Sequence, residues 1–390
     1  MTTISIGYVP LLDAAPLIIA QEMGFAREEG LELALRPAPS WSSVRDMLSF
    51  GAVDAAHMLA PLPIASALGL GAGTAPLCAV SVLSMNGTVI GVSNALAEKL
   101  RGAGHDFGFD NAIAAGTALI AAAEAPLRIG VPFPFSMHAE LLIYWLSALG
   151  LPAPQNVDIR TVPPSSMADA LAADEIDAFC VGEPWGSLVV EQNIGQLLLP
   201  SSAIWRSFPE KVLAMRTGWA EENPVLCGKL IRALVKSARW LAKPTSPTLA
   251  AEMLSRPDYL NIPWDVLERG LTGQLQISAR VERREVPDFL GFYRGAATFP
   301  WRSQAEWIGL QLARRTGLER AASMAAAAKV FRPDIYRAAL DGSGMDVPGA
   351  SSRVEGAVSH PTAVASALGQ ITLMPDPFFD GRVFDPSTPE

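Results

Sequence analysis

The chain has 390 residues, half of them apolar and 18% charged, with a formal charge of −9. At ~100–200 residues per domain, that length suits two domains or one bilobal unit. The acidic balance argues against a broad nucleic-acid footprint, and 31 prolines with 32 glycines scattered between apolar runs fit neither a collagen-like nor a disordered chain.

Met1-Thr2-Thr3 runs straight into the strand pattern 4-ISIGYV-9, with no positive n-region or small-residue cleavage site before it. If the sequence is the complete precursor, the expectation is a cytoplasmic protein. A helix follows over 14–23, ended by Gly24, then a strand over 31–35. Ser42 or Ser43 is expected to cap the next helix, which reaches Leu48, and 53-VDAAHML-59 reads as a third strand. Residues 55–97 contain no Asp, Glu, Lys or Arg. Pro61, Pro63, Pro76, the 69-GLGAG-73 cluster and Asn86-Gly87 interrupt this run. It therefore reads as buried strands and packed helices rather than a membrane span, which needs ~20 consecutive apolar residues.

The segment 86-NGTVIGVS-93 reads as a crossing strand, after which the first pattern returns. Residues 42–61 align without gaps on 165–184, sharing Ser42/Ser165, Ser43/Ser166, Asp46/Asp169, Leu48/Leu171, Asp54/Asp177, Ala55/Ala178 and Pro61/Pro184. The same offset of 123 places Ile6-Gly7 on Ile129-Gly130. The second copy reads as strand 127–131, helix 136–149, strand 157–162, a helix from Ser165 and strand 176–182. Alternating β and α elements predict parallel sheets covered by helices, in two lobes with a cleft at the carboxyl ends of the strands. Residues 211–216 form the return strand. The expected fold is α/β and bilobal, with one lobe from 1–88 plus 210–390 and the other from 89–209. The rest is mostly helical, over 224–241, 248–256, 262–271, 303–315 and 333–340, and the tail 375–390 docks its aromatics on a lobe.

In each copy the first helix points its N-terminus, with unpaired N–H groups and about half a positive charge, at the cleft. Asp13 takes the cap position of the first and would repel an anion. Ser136 takes that of the second, with His138 two residues on, making the second lobe the better anion site. His138 either donates to an anion, charged or neutral, or packs against the strand end. Trp41 follows a strand and either walls the pocket or covers the core. Lys211 can reach the cleft or solvate a surface. Glu183 and Trp185 in 182-GEPWG-186 sit on the cleft side or form a structural corner. His57 matches Cys180 and reads as a buried strand position. Asp169, Asp174, Glu175 and Asp177 read as solvent-facing, as does the mixed-sign stretch 278-SARVERRE-285. Three widely spaced cysteines suggest reduced thiols, not a disulfide framework. GxGxxG, Walker A, GxSxG and HExxH patterns are absent, and the four histidines lack metal-ligand spacing, so binding leads over catalysis and no metal or cofactor is expected.

The colinear series 40-SWSSVRD-46, 57-HMLAPLP-63, 85-MNG-87, 133-FPFSMHAELLIYWLSALG-150, 163-PPSSM-167, 179-FCVGEPW-185, 208-FPEKVLAMR-216 and 378-FFDGRVFDP-386 resembles the nitrate- and bicarbonate-binding proteins of ABC transporters over nearly the whole chain. The resemblance implies a type II periplasmic-binding-protein fold. It also implies ligand contacts from Trp41, His138 and Lys211, with Gly87, Thr88, Phe135 and Ser136 beside them. Thr88 stands where nitrate-binding members usually have Gln, and Phe135-Ser136-Met137 where they have Gly-Gly-Thr, so the approach to the anion differs. Bicarbonate members resemble calcium-assisted sites, so Lys211 favours nitrate or nitrite. With no export signal, the expectation is a cytoplasmic nitrate/nitrite sensor, as in family members that hold an RNA-binding, response-regulator-like antiterminator inactive until ligand arrives. The alternatives are the substrate-binding component of an ABC transporter and, third, a pyrimidine-forming enzyme on the same fold.

Overall fold

In the computed structural model, which describes residues 1–71, 75–123 and 126–388, two mixed sheets lie side by side. The first contains β1 (Thr2–Tyr8), β2 (Leu31–Pro37), β3 (Ala55–Leu59) and β4 (Leu77–Asn86). The second contains β5 (Thr88–Ser93), β6 (Leu127–Val131), β7 (Val157–Thr161), β8 (Ala178–Gly182) and β9 (Gly195–Pro200). The chain then returns to the first sheet as β10 (Pro209–Arg216). The orders are Leu290–Gly291, β4, β10, β3, β1, β2 in one sheet and β7, β6, β8, β5, β9 in the other. This is a bilobal α/β fold. Positions 72 and 73 of the glycine cluster and the last two residues of the tail lie outside the described residues.

The sheets are not wholly parallel, as the repeat alone suggests. β1 pairs parallel with β2 and β3, and β6 with β7 and β8. β10 runs antiparallel to β3 and β4, and β5 antiparallel to β8 and β9. The two crossing strands lie outside the repeated unit and enter from the opposite side, so the periodicity could not report their direction.

Both faces of the first sheet are covered, which accounts for the charge-free run. Along β10, Val212 and Ala214 join one apolar cluster while Leu213 and Met215 join the other. Strands buried on both faces read as continuous apolar sequence. Among the described residues no helix is long and apolar enough to cross a membrane.

The two crossovers meet at Asn86. Its backbone is left-handed (φ 59°), a conformation that Asn tolerates better than most residues. The side-chain amide donates to the carbonyls of Arg206 and Asp288 and accepts from the Phe208 N–H, so outgoing and returning chains are tied to one side chain.

Helices over Pro224–Leu241, Pro247–Leu254, Trp264–Thr272, Arg302–Thr316, Arg320–Val330 and Pro333–Leu340 form the C-terminal third. The helix Arg320–Val330, within an alanine-rich stretch with little amphipathic pattern, is not anticipated from sequence, nor are Asn94–Gly102 and Ala112–Ala122. The tail docks as expected. Phe378 stacks on Trp205 at 4.7 Å and on Trp307 at 5.7 Å, and Tyr144 donates to the Asp380 carboxylate.

Candidate functional site

Five ionisable side chains from two strands, one turn and one helix meet between the sheets. Lys211 Nζ lies 2.7 Å from Asp13 Oδ2 and donates to Glu210 Oε1 at 2.6 Å. His57 Nε2 is 2.9 Å from Asp13 Oδ1, and His138 Nδ1 is 3.4 Å from Glu210 Oε1. All five are buried. The indole of Trp41 closes one side, 5.2 Å from Lys211 Nζ and 5.4 Å from the His57 ring.

Local sequence explains each placement. Trp41 is the first residue of the helix Trp41–Ser49 rather than part of a loop, because Ser40, not Ser42 or Ser43, caps it by accepting from the Ser43 N–H at 3.2 Å. Asp13 does not cap a helix. It sits in a 3-10 turn over Leu12–Ala14, and its carboxylate turns to Lys211 and His57. In the β4–β10 ladder Pro209 faces Met85 and Lys211 faces Ser84, leaving Glu210 as an extra residue. Such a bulge re-aims side chains. Here Glu210 and Lys211, neighbours on a strand, reach the same place.

The cluster sets two carboxyls and two imidazoles around one ammonium. Burial opposes ionisation of Asp13, but Lys211 and His57 outweigh it and hold the carboxyl well below its ordinary range. Lys211 is raised: burial works against its charge, and Asp13 and Glu210 overcome that. Burial pushes Glu210 up to about 7 against the pull of Lys211. It also lowers both histidines, far below the usual value for His138, where Lys211 adds to the effect. His138 is therefore a neutral imidazole, and the charged form considered from sequence is not the one this environment supports.

Among the described residues, several buried polar atoms around this cluster have no hydrogen-bond partner: Trp41 Nε1, Thr88 Oγ1, His138 Nε2 and Glu210 Oε2. Buried polar atoms are normally paired, so unpaired ones mark a place where a ligand completes the bonding. Trp41 and Thr88 can each give one N–H or O–H, and a neutral His138 one N–H. With Lys211, the set suits a small oxyanion.

Of the other sequence-predicted residues, Ser136 caps the helix Met137–Ala148, accepting from Ala139 N–H and donating to the Phe133 carbonyl, so its hydroxyl is occupied. Phe135 turns its ring to Phe133 and to the guanidinium of Arg315. The Gly87 N–H donates to the Phe289 carbonyl and its carbonyl accepts from Glu183. The sequence reading missed Asp13, Glu210 and His57 as cluster members, and Gly182 as its wall. A Cβ at Gly182 would stand 3.6 Å from Asp13 Oδ2 and 3.9 Å from His138 Nε2. The adjacent Glu183–Trp185 loop bridges the lobes: the Leu12 N–H donates to the Glu183 carbonyl at 3.0 Å, and Trp185 Nε1 to the Pro10 carbonyl at 3.1 Å. Asp177, expected to face solvent, instead accepts from Arg128.

A closed cleft between two βα lobes, lined by unpaired donors around one lysine, defines the class as a binding-protein fold. The chain belongs to the NMT1-like family, whose model matches residues 1–255. Its fold superposes on the crystal structure of the periplasmic nitrate-binding protein NrtA from Synechocystis with a TM-score of 0.85 and 26% identity, covering 99% of this chain and 96% of that one. It is 29% identical to the nitrate/nitrite binding protein NrtA of Nostoc over 100% of this chain and 84% of that protein. It is also 33% identical to the nitrate import ATP-binding protein NrtC of Synechocystis, over 80% of this chain but only 46% of that longer protein. These relatives carry the names of binding and import proteins.

Proposed function

We propose that the chain captures nitrate or nitrite as the substrate-binding component of an ABC-type importer. The observation that carries this reading is the burial of Lys211 between the lobes, among Trp41 Nε1, Thr88 Oγ1 and His138 Nε2, none of which has a hydrogen-bond partner among the described residues. Full-length likeness to nitrate-binding proteins supports the same ligand class. The import name of the relative NrtC favours transport over the sensor role and its antiterminator partner expected from the amino terminus. Nitrate presents three acceptor oxygens and no donor, matching a pocket that offers N–H and O–H groups. Calorimetric titration with nitrate and nitrite tests this: one-site binding, lost in Lys211→Ala and His138→Ala, is expected. Unchanged binding in both variants would reject the site. Recovery of the protein from cells in complex with an RNA-binding protein, released by nitrate, would reject import in favour of sensing.

A further inference from the structure

The cluster already contains two carboxylates for one ammonium before any anion arrives. Asp13 and Glu210 both reach Lys211 Nζ, and Glu210 Oε2 is buried without a donor. A nitrate oxygen placed against Lys211 would bring a third negative group into a site closed to solvent, beside an acceptor that offers it nothing. Uncompensated charge in such a place is strongly unfavourable. Resting on the anion-binding reading above, we propose that the pocket takes up one proton together with its anion, and that the carboxyl of Glu210 holds it.

Protonation at Oε2 cancels the charge that the anion brings, returning the cluster to the net charge it had before binding, and turns an orphaned acceptor into an O–H donor, completing the bonding around the ligand. The proton comes from solvent, and no other bond is made or broken. The groups facing Glu210 are Lys211 on its own strand, Asp13 from the turn, His138 from the helix Met137–Ala148 and the Cys180 thiol of β8, with His57 behind Asp13. Asp13 cannot take this role while it bridges Lys211 and His57. Glu210 is the carboxylate whose second oxygen lacks either contact, and burial already places it near neutrality.

Titrations of the full chain with sodium nitrate in buffers of different ionisation enthalpy, from pH 6 to pH 9, test the inference. The expected result is uptake approaching one proton per nitrate above pH 7 and declining below it. Kd should rise tenfold per pH unit on the alkaline side. Glu210→Gln should bind nitrate with buffer-independent heat and a flat pH profile, which a merely structural carboxyl would not produce. Buffer-independent heat in the parent protein would overturn the coupled proton while leaving nitrate binding intact. Absence of binding of nitrate and nitrite at every pH would overturn both readings.

Discussion

Lys211 Nζ and Asp13 Oδ2 stand 2.7 Å apart, an ion pair between a return strand and an N-terminal turn that are 198 positions apart in sequence and both sealed from solvent. Such a pair adds little stability over an apolar pair of the same size, but breaking it by removing one partner is costly. It therefore fixes where the ammonium sits more than it holds the fold together.

Lys211→Met should destabilise the protein by about 3–5 kcal/mol in urea unfolding, because the buried Asp13 carboxylate loses its cation and keeps only the neutral His57 beside it. The double variant Asp13→Asn/Lys211→Met should recover much of that loss while remaining unable to bind nitrate. A single variant within about 1 kcal/mol of the parent would contradict the buried pair.

Trp41→Phe keeps a ring beside Lys211 and removes only the indole N–H, which has no hydrogen-bond partner among the described residues. Stability should barely change. Nitrate affinity should fall by about tenfold, the scale of one hydrogen bond to a charged ligand. Equal affinity by calorimetry would show that the indole is a wall and not a donor.

Gly182→Ala places its Cβ 2.8 Å from Leu11 Cδ2 and in ordinary contact with Asp13 and His138. Overpacking of this kind typically costs about 1–3 kcal/mol. The larger effect is expected on the ligand: Gly182→Val should fill the space between Asp13 and His138 and reduce nitrate affinity beyond detection, while the far-ultraviolet circular dichroism spectrum is retained. Tight binding by the valine variant would place the anion elsewhere.

The pH dependence of folding should be inverted relative to most acidic proteins. Burial raises Glu140, Glu183 and Glu210 each to about 7, above the ordinary value near 4.5 that they regain on unfolding. The folded state then holds more protons than the unfolded one between about pH 4.5 and 7, so stability is greatest below that window and is lost as pH rises through 7. Asp13 works oppositely, its depressed value removing stability only below about pH 4, and the lowered His57 and His138 offset part of the carboxyl effect below about pH 6.5, where only the unfolded state takes up their protons. The unfolding free energy from urea titration should therefore be greater at pH 5.5 than at pH 8, by on the order of 1–3 kcal/mol per carboxyl before the histidine offset. Glu140→Gln, which retains the contact side of Arg315, should flatten part of that slope. A midpoint that rises steadily to pH 8 would refute the buried neutral carboxyls.

Much of the architecture was legible in sequence because it rests on repetition. The 123-residue offset exposes both βα units, and Ser136 announces its helix by being the cap it resembles. The nearness of Trp41 and Lys211 was also foreseeable, since both follow strand boundaries on the cleft side. Asp13 was misread because an acidic residue just before a helix resembles a cap, and only tertiary contact reveals its carboxylate turning to Lys211. Glu210 was hidden for a different reason. Alternation puts neighbouring strand residues on opposite faces, and the bulge that defeats alternation here is a property of the β4 pairing, not of the local sequence. Gly182 matters for the side chain it lacks, which no pattern of one sequence displays.

Asn86 carries a kinematic consequence. Because it binds both crossovers, a rotation of one lobe on the other would have its pivot there, and displacement would grow with distance from that residue. Thr88, two positions along the chain, would scarcely travel. His138 rides with the second sheet, and the Glu183–Trp185 bridge to Pro10 and Leu12 would part first. An incoming anion would then meet an almost stationary half of the pocket, formed by Thr88 and Lys211. The imidazole would arrive afterwards, so capture and enclosure would be separate events in time.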